Sequence, residues 1–209
     1  MAYFPFMVEV EGMRCLIVGG GKIAYHKLVI MRRFGVQLCV TAPEICGKIR
    51  ELAKDFPELK LVERGFRESD LEDADIVIAA TNDKALNHFV SVLCREKRIP
   101  VNAVDQKEDC SFVFPAMIKD EELVIAVSTG GNSPAAAGVL KRRIQEQLPE
   151  GIAAWIGQMG DYRDYVRERV HSSEERKKVY YELFGEVGTD NGSLTRELVE
   201  QVIARVCGK

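Results

Sequence analysis

The sequence predicts an α/β fold: a parallel sheet covered by helices, followed by a β-hairpin with one helix and then a small all-helical region. Three patterns carry that expectation. Short apolar runs alternate with segments of helical spacing as far as Asp105, two further runs are then joined by only a few polar residues, and beyond Pro149 the spacing is helical throughout. At roughly 150 residues per domain, 209 residues fit one full domain and a smaller appendage.

Arg14-Cys15-Leu16-Ile17-Val18 reads as a strand that stops at Gly19-Gly20-Gly21, and Ile23 to Phe34 then repeats apolar residues at helical spacing. Gly35 closes that helix, and Val36 to Thr41 is a second strand. Pro43 suits a first helical position, so a helix is expected from Pro43 to Phe56. Further strands are expected at Leu59–Glu63, Ile76–Thr81 and Pro100–Val104, with a helix over Lys84–Glu96 before the last of them. Strands alternating with helices imply a parallel sheet with both faces covered. After Asp105, Phe112–Ile118 and Leu123–Ser128 are linked only by the polar Lys119-Asp120-Glu121-Glu122, which spells a hairpin. Ser133-Pro134 opens a helix to about Leu148, serine as N-cap and proline at the first turn. Val166, Val170, Val179, Leu183, Leu198, Val202 and Val206 then form apolar stripes that read as packing faces.

Composition narrows the function classes. The 29 lysines and arginines against 32 aspartates and glutamates leave a net charge of −3, which argues against a general nucleic-acid binder. No run approaches the ~18 apolar residues of a membrane span, and the start lacks the positive segment of a signal peptide. A cytoplasmic protein with neither membrane nor nucleic-acid partner is expected. The six cysteines contain no C-x-x-C pair and the three histidines are scattered, so no metal site is expected and the thiols read as small hydrophobes.

Gly19-Gly20-Gly21-Lys22-Ile23-Ala24 fits G-x-G-x-x-G/A in its proper setting, after a strand and opening a helix. Gly19 permits the tight turn, Gly21 lets backbone approach a pyrophosphate, and Ala24 allows close helix packing. Near the end of the second strand Glu44 is the nearest carboxylate for an adenosine ribose. The residues alone leave NAD and NADP open; with no arginine evident for a 2′-phosphate, NAD is the expectation. Ala79-Ala80-Thr81-Asn82-Asp83 ends another strand, where the small residues leave room for the nicotinamide side, with Thr81 and Asn82 beside it, or Asn82-Asp83 caps the next helix. Asp105 brings a carboxylate to the same edge, though a lone aspartate there also suits a plain loop. Ser128-Thr129-Gly130-Gly131-Asn132 resembles an anion cradle before a helix N-terminus, with an ordinary strand-to-helix turn as the alternative. Lys141-Arg142-Arg143 offers either cationic partners for substrate carboxylates or an exposed basic face, and His26 and Lys27 read as solvated.

Together these motifs resemble the precorrin-2 dehydrogenase family, which includes the N-terminal half of siroheme synthases and stand-alone dehydrogenase/ferrochelatases. The resemblance rests on Tyr3-Phe4-Pro5-Phe6, Leu16 to Ala24, Ala79 to Asp83, Asn102 to Asp105, Ser111-Phe112 and Ser128 to Pro134, in family order. It implies a Rossmann-like NAD-binding domain over 1–111, a dimerisation region over 112–148 and a helical C-terminal domain over 149–209. It further implies oxidation of precorrin-2, a carboxylate-rich tetrapyrrole, to sirohydrochlorin with NAD as hydride acceptor, in a homodimer. Insertion of ferrous iron is an addition shared by only some relatives.

In the terms of that resemblance, Asp105 is the general base. Gly21, Lys22 and Ile23, with Pro43 and Glu44 under the adenosine, hold the cofactor, and Ser128 to Asn132 bind substrate. Two departures stand out: Thr129 replaces a frequent serine, and His26 precedes Lys27 where many members carry arginine. A dinucleotide-sensing regulatory module without turnover is the alternative from another class.

Overall fold

The computed structural model describes residues 3–187 and 193–208. Two compact units divide the chain, Met1–Phe114 and Pro115–Lys209.

The first unit is built on five parallel strands, β1 (Arg14–Val18), β2 (Gln37–Thr41), β3 (Lys60–Val62), β4 (Ile76–Ala79) and β5 (Val101–Ala103), in the order β3-β2-β1-β4-β5. Between them lie α1 (Lys22–Met31), α2 (Gly47–Lys54) and α3 (Lys84–Glu96). The period-two alternation of a strand sorts its apolar residues onto two faces. Cys15 and Ile17 of β1 join Ile76 and Ile78 of β4 and pack with Ala24 and Leu28 of α1 and Ile49 of α2. Leu16 and Val18 join Val77 and Ala79 and pack with Val90, Leu93 and Cys94 of α3. Each fully buried Leu, Ile or Val contributes about 1.5–3 kcal/mol, so both faces hold the sheet. Burial pushes the Cys15 and Cys94 thiols up to about 12, which leaves them as packing groups.

Strand order reverses around β1, whose Val18 lies between Thr41 of β2 and Ala79 of β4. That reversal places the glycine turn at the position where doubly wound sheets bind ligands. Two elements start four residues later than the sequence expectation, at Gly47 and at Ala116. Helix α2 begins at Gly47 rather than Pro43, because Ile45 is drawn into the core and the Cys46 N–H donates to the Gly20 carbonyl at 2.8 Å. Phe112 and Phe114 pack against the first unit's core instead of entering the hairpin.

In the second unit β6 (Ala116–Asp120) and β7 (Leu123–Val127) pair antiparallel, with Lys119 and Asp120 inside the strand. The turn is therefore Glu121-Glu122, with Glu121 at φ +41°. Helix α4 (Pro134–Gln147) packs on this hairpin. Helices α5 (Ile152–Asp161), α6 (Arg163–Arg169), α7 (Ser173–Val187) and α8 (Arg196–Cys207) follow. The predicted stripes form their core: Val166, Val170, Val179, Leu183 and Val202 are buried, with Leu198 and Val206 packed at its margin. Within the expected 149–209 helical region, residues 188–192 and Lys209 lie outside the described residues.

Candidate functional site

The three consecutive glycines do three different jobs. Gly19 adopts φ +126°, and a Cβ there would sit 2.4 Å from the Ala80 carbonyl oxygen. Gly20, the position the G-x-G pattern leaves free, is as constrained: a Cβ would lie 2.2 Å from the Glu44 carbonyl oxygen and 2.9 Å from the Ile45 Cα. Gly21 has an extended backbone and nothing within 4 Å of its would-be Cβ. It is also the N-cap of α1 and supplies no side-chain cap, so the positive end of a ten-residue helix opens onto that space. Lys22 and Ile23 are exposed there, while Ala24 is wholly buried against the sheet. An open, uncapped helix N-terminus behind a glycine fits a dinucleotide pyrophosphate.

The β2–α2 loop locks against this turn. Pro43 and Glu44 are exposed beside it, and Arg50 of α2 donates Nε to the Ile45 carbonyl at 3.1 Å while its guanidinium grips Glu63 at 2.5 and 2.7 Å. Arg64, whose carbonyl accepts from the buried Thr41 hydroxyl, forms a two-bond pair with Asp70 at 2.9 and 2.5 Å. That guanidinium holds the Asp70 carboxyl below the usual carboxylate range. Arg50 and Arg64 are thus committed to carboxylates.

On the other side of β1, the chain leaves β4 through Thr81 and Asn82. Of the Asn82-Asp83 pair, Asp83 caps α3, accepting from the Ala85 and Leu86 N–H groups at 2.9 and 3.1 Å. Thr81 is fixed by Asn87, 1% exposed, whose Oδ1 accepts from the Thr81 N–H and hydroxyl and whose Nδ2 donates to the Thr81 carbonyl. Asn82 stays exposed. Asp105 follows β5 at φ +59°, a left-handed conformation that aspartate tolerates better than most residues, and it is exposed.

The segment after Asp105 is tied down on both sides. Gln106 donates to Asp109 at 2.7 Å and to the Lys84 carbonyl at 3.2 Å, and the buried Asp109 also meets His88 Nδ1 at 2.8 Å. Asn102 donates to the Phe112 carbonyl, and the Cys110 thiol to the Ala103 carbonyl. Lys27 corrects the sequence reading: its ammonium is half-buried, 3.8 Å from the Phe114 ring centroid, with Asp105 and Cys110 as electrostatic neighbours. Burial pushes its pKa down. Asn87, the His88–Asp109 pair and Gly20 are all unmarked in the sequence, except that three glycines stand where the pattern needs two.

The first unit therefore brings the glycine turn, Pro43-Glu44, Thr81-Asn82 and Asp105 to the carboxyl edge of one sheet. Ser128 to Asn132 belong to the second unit. There the Ser128 hydroxyl accepts from the Gly130 N–H at 3.2 Å, and the Thr129 hydroxyl donates to the Ser133 carbonyl at 2.9 Å and accepts its N–H at 3.1 Å. Gly130 and Gly131 take φ +62° and +83°, and Ser133 caps α4.

Residues 6–116 match the family described as putative NAD(P)-binding, and residues 116–147 match that of the sirohaem biosynthesis protein central region. A siroheme synthase of Thioalkalivibrio sulfidiphilus is 37% identical over 183 residues, covering 88% of this chain and 37% of the relative. One of Pseudomonas fluorescens is 37% identical over 185 residues, covering 88% and 39%. The solved structure of SirC, a precorrin-2 dehydrogenase, superposes with a TM-score of 0.68 at 25% identity, covering 99% of this chain and 100% of that one. The chain belongs to the siroheme synthase and precorrin-2 dehydrogenase family. It spans less than two fifths of the two siroheme synthases' own length. The family's Rossmann-like fold is the one expected from the sequence, and the nicotinamide dinucleotide expected at the glycine turn agrees with the matched NAD(P)-binding family. Among the described residues no helix is long and apolar enough to cross a membrane.

Proposed function

We propose that this chain oxidises precorrin-2 to sirohydrochlorin with NAD, and that Asp105 is the general base. One observation carries the reading: the uncapped N-terminus of α1 behind the open Gly21 and the exposed Asp105 carboxylate lie on the same edge of one sheet. The backbone N–H groups at Gly21, Lys22 and Ile23 would hold the pyrophosphate, and Gly19 gives the turn its close crossing of β4. Glu44, exposed beside the turn next to Pro43, would accept from the adenosine ribose hydroxyls. Arg50 and Arg64 are already paired to carboxylates and so are not offered to a 2′-phosphate, which supports NAD over NADP. When bound, NAD supplies the hydride acceptor.

The chain's own task is then the proton. Oxidation removes one proton with each hydride, and the Asp105 carboxylate, held outward by its left-handed backbone, takes that proton from the tetrapyrrole. Thr81 and Asn82 border the space between turn and carboxylate, with Asn87 fixing Thr81 from inside. Ser128 to Asn132 are assigned to the substrate as well, supported by their glycine turn before a capped helix. The exposed Val139 and Leu140 on α4 support a homodimer formed through the hairpin and α4. A cytoplasmic location suits this chemistry.

The test is anaerobic. Precorrin-2 and NAD are mixed with the protein, NADH and sirohydrochlorin are followed by absorbance, and ferrous ion is then added as a second substrate. Oxidation confirms the dehydrogenase, and protein-accelerated iron insertion in the second stage adds the chelatase. NAD binding without oxidation would instead assign a sensor.

A further inference from the structure

Helix α1 carries a cation for which the proposed oxidation has no use so far. Lys27 Nζ stands 3.8 Å from the centroid of the Phe114 ring, and the side chain is half-buried. Among the described residues no carboxylate forms a salt bridge with it, in contrast to Arg14, Arg50 and Arg64 of the same unit, which each grip at least one. Cys110 and Asp105 are its electrostatic neighbours. The Cys110 thiol is itself engaged with the carbonyls of Ala103 and Gln106, at 3.1 and 3.3 Å on either side of Asp105.

A partly desolvated ammonium held on an aromatic face without a salt bridge is an arrangement that an incoming anion relieves. The anion in question is not the cofactor's pyrophosphate. Lys27 lies six residues beyond Gly21, about 9 Å along the helix axis at ~1.5 Å per residue, and on the side of Asp105.

We infer that Lys27 is a substrate-positioning residue: its ammonium anchors one side-chain carboxylate of the tetrapyrrole and so sets the macrocycle against Asp105. The inference rests on the precorrin-2 reading and adds a residue to it. Phe114 fixes the ammonium in place, so the anchor is built before substrate arrives.

The experiment is equilibrium titration of the full chain with sirohydrochlorin and, separately, with its methyl esters, for the natural protein, Lys27→Met, Lys27→Gln and Lys27→Arg. NAD affinity and the thermal midpoint are measured alongside. Loss of one charge-assisted contact predicts about tenfold weaker sirohydrochlorin binding in the two neutral variants. Lys27→Arg should stay within about threefold, and the esters should bind the natural protein and the neutral variants alike. In turnover KM should rise more than kcat falls, with NAD affinity unchanged.

Equal sirohydrochlorin binding by Lys27→Met and the natural protein would overturn the anchor, as would a loss of the same size for acid and ester. Those failures leave oxidation by the natural protein intact. Absence of any sirohydrochlorin binding by the natural protein would overturn the precorrin-2 reading and the anchor together.

Discussion

The molecule contains two glycine turns, each leading from a strand into a helix, and they are built on opposite principles. At Gly19-Gly20-Gly21 the glycines are demanded by backbone passing close by: Ala80 on one side, Glu44 and Ile45 on the other. At Gly130-Gly131 they are demanded by the turn's own dihedrals, a Cβ at Gly130 would meet nothing within 4 Å, and the hydroxyls of Ser128 and Thr129 close the loop. The first turn is a crossing point of three segments that leaves one face open at Gly21. The second is a loop braced by hydroxyls of its own residues. Substitutions should therefore act through different routes in the two.

Gly20→Ala should have the largest effect on stability, about 3 kcal/mol lost from the first unit, because a methyl group there meets backbone rather than a side chain that can rotate away. Urea unfolding followed by circular dichroism reads this, and an unshifted midpoint would break the picture of a crossing point. Gly21→Asp sharpens it from the other side. Its Cβ has free space, so stability should hold while NAD affinity falls at least about tenfold through a negative charge at the pyrophosphate position.

In the second turn, Thr129→Val removes both hydrogen bonds to Ser133 and should cost about 1–2 kcal/mol, whereas Thr129→Ser should nearly retain stability. Trp155, the single tryptophan and buried in the second unit, supplies the fluorescence readout. Gly130→Ala should be mildest, about 1 kcal/mol for a left-handed alanine in open space. A larger loss there than at Gly20 would reverse the comparison.

What the sequence discloses follows from how local each signal is. The β1 run, the glycines, Gly35 and the Ser133-Pro134 start are punctuation within a few residues, and the structure has each of them in place. Pro43 misleads because its local preference for a helix start gives way to a tertiary tie: Cys46 bonds to Gly20 and Arg50 holds Ile45, so the helix waits until Gly47. Phe112-Val113-Phe114 alternates like a strand, yet its phenylalanines serve the first unit's core.

At the candidate site, Gly19, Gly21 and Asp105 are legible because a motif or a strand end marks them. Asn87 is not, since a buried amide within a helix has no pattern of its own. His88 and Asp109 meet across 21 residues, and Lys27 and Phe114 are brought together only by the closed fold.

The most direct test of the account is single-turnover oxidation of precorrin-2 by Asp105→Asn, with NAD affinity measured on the same preparation. Asparagine keeps the shape and tolerates the left-handed backbone at this position but accepts no proton. The account predicts oxidation slowed by at least about a hundredfold, the range of a lost general base, with NAD affinity unchanged. Oxidation at the natural rate with NAD still bound would contradict it and remove Asp105 from the chemistry.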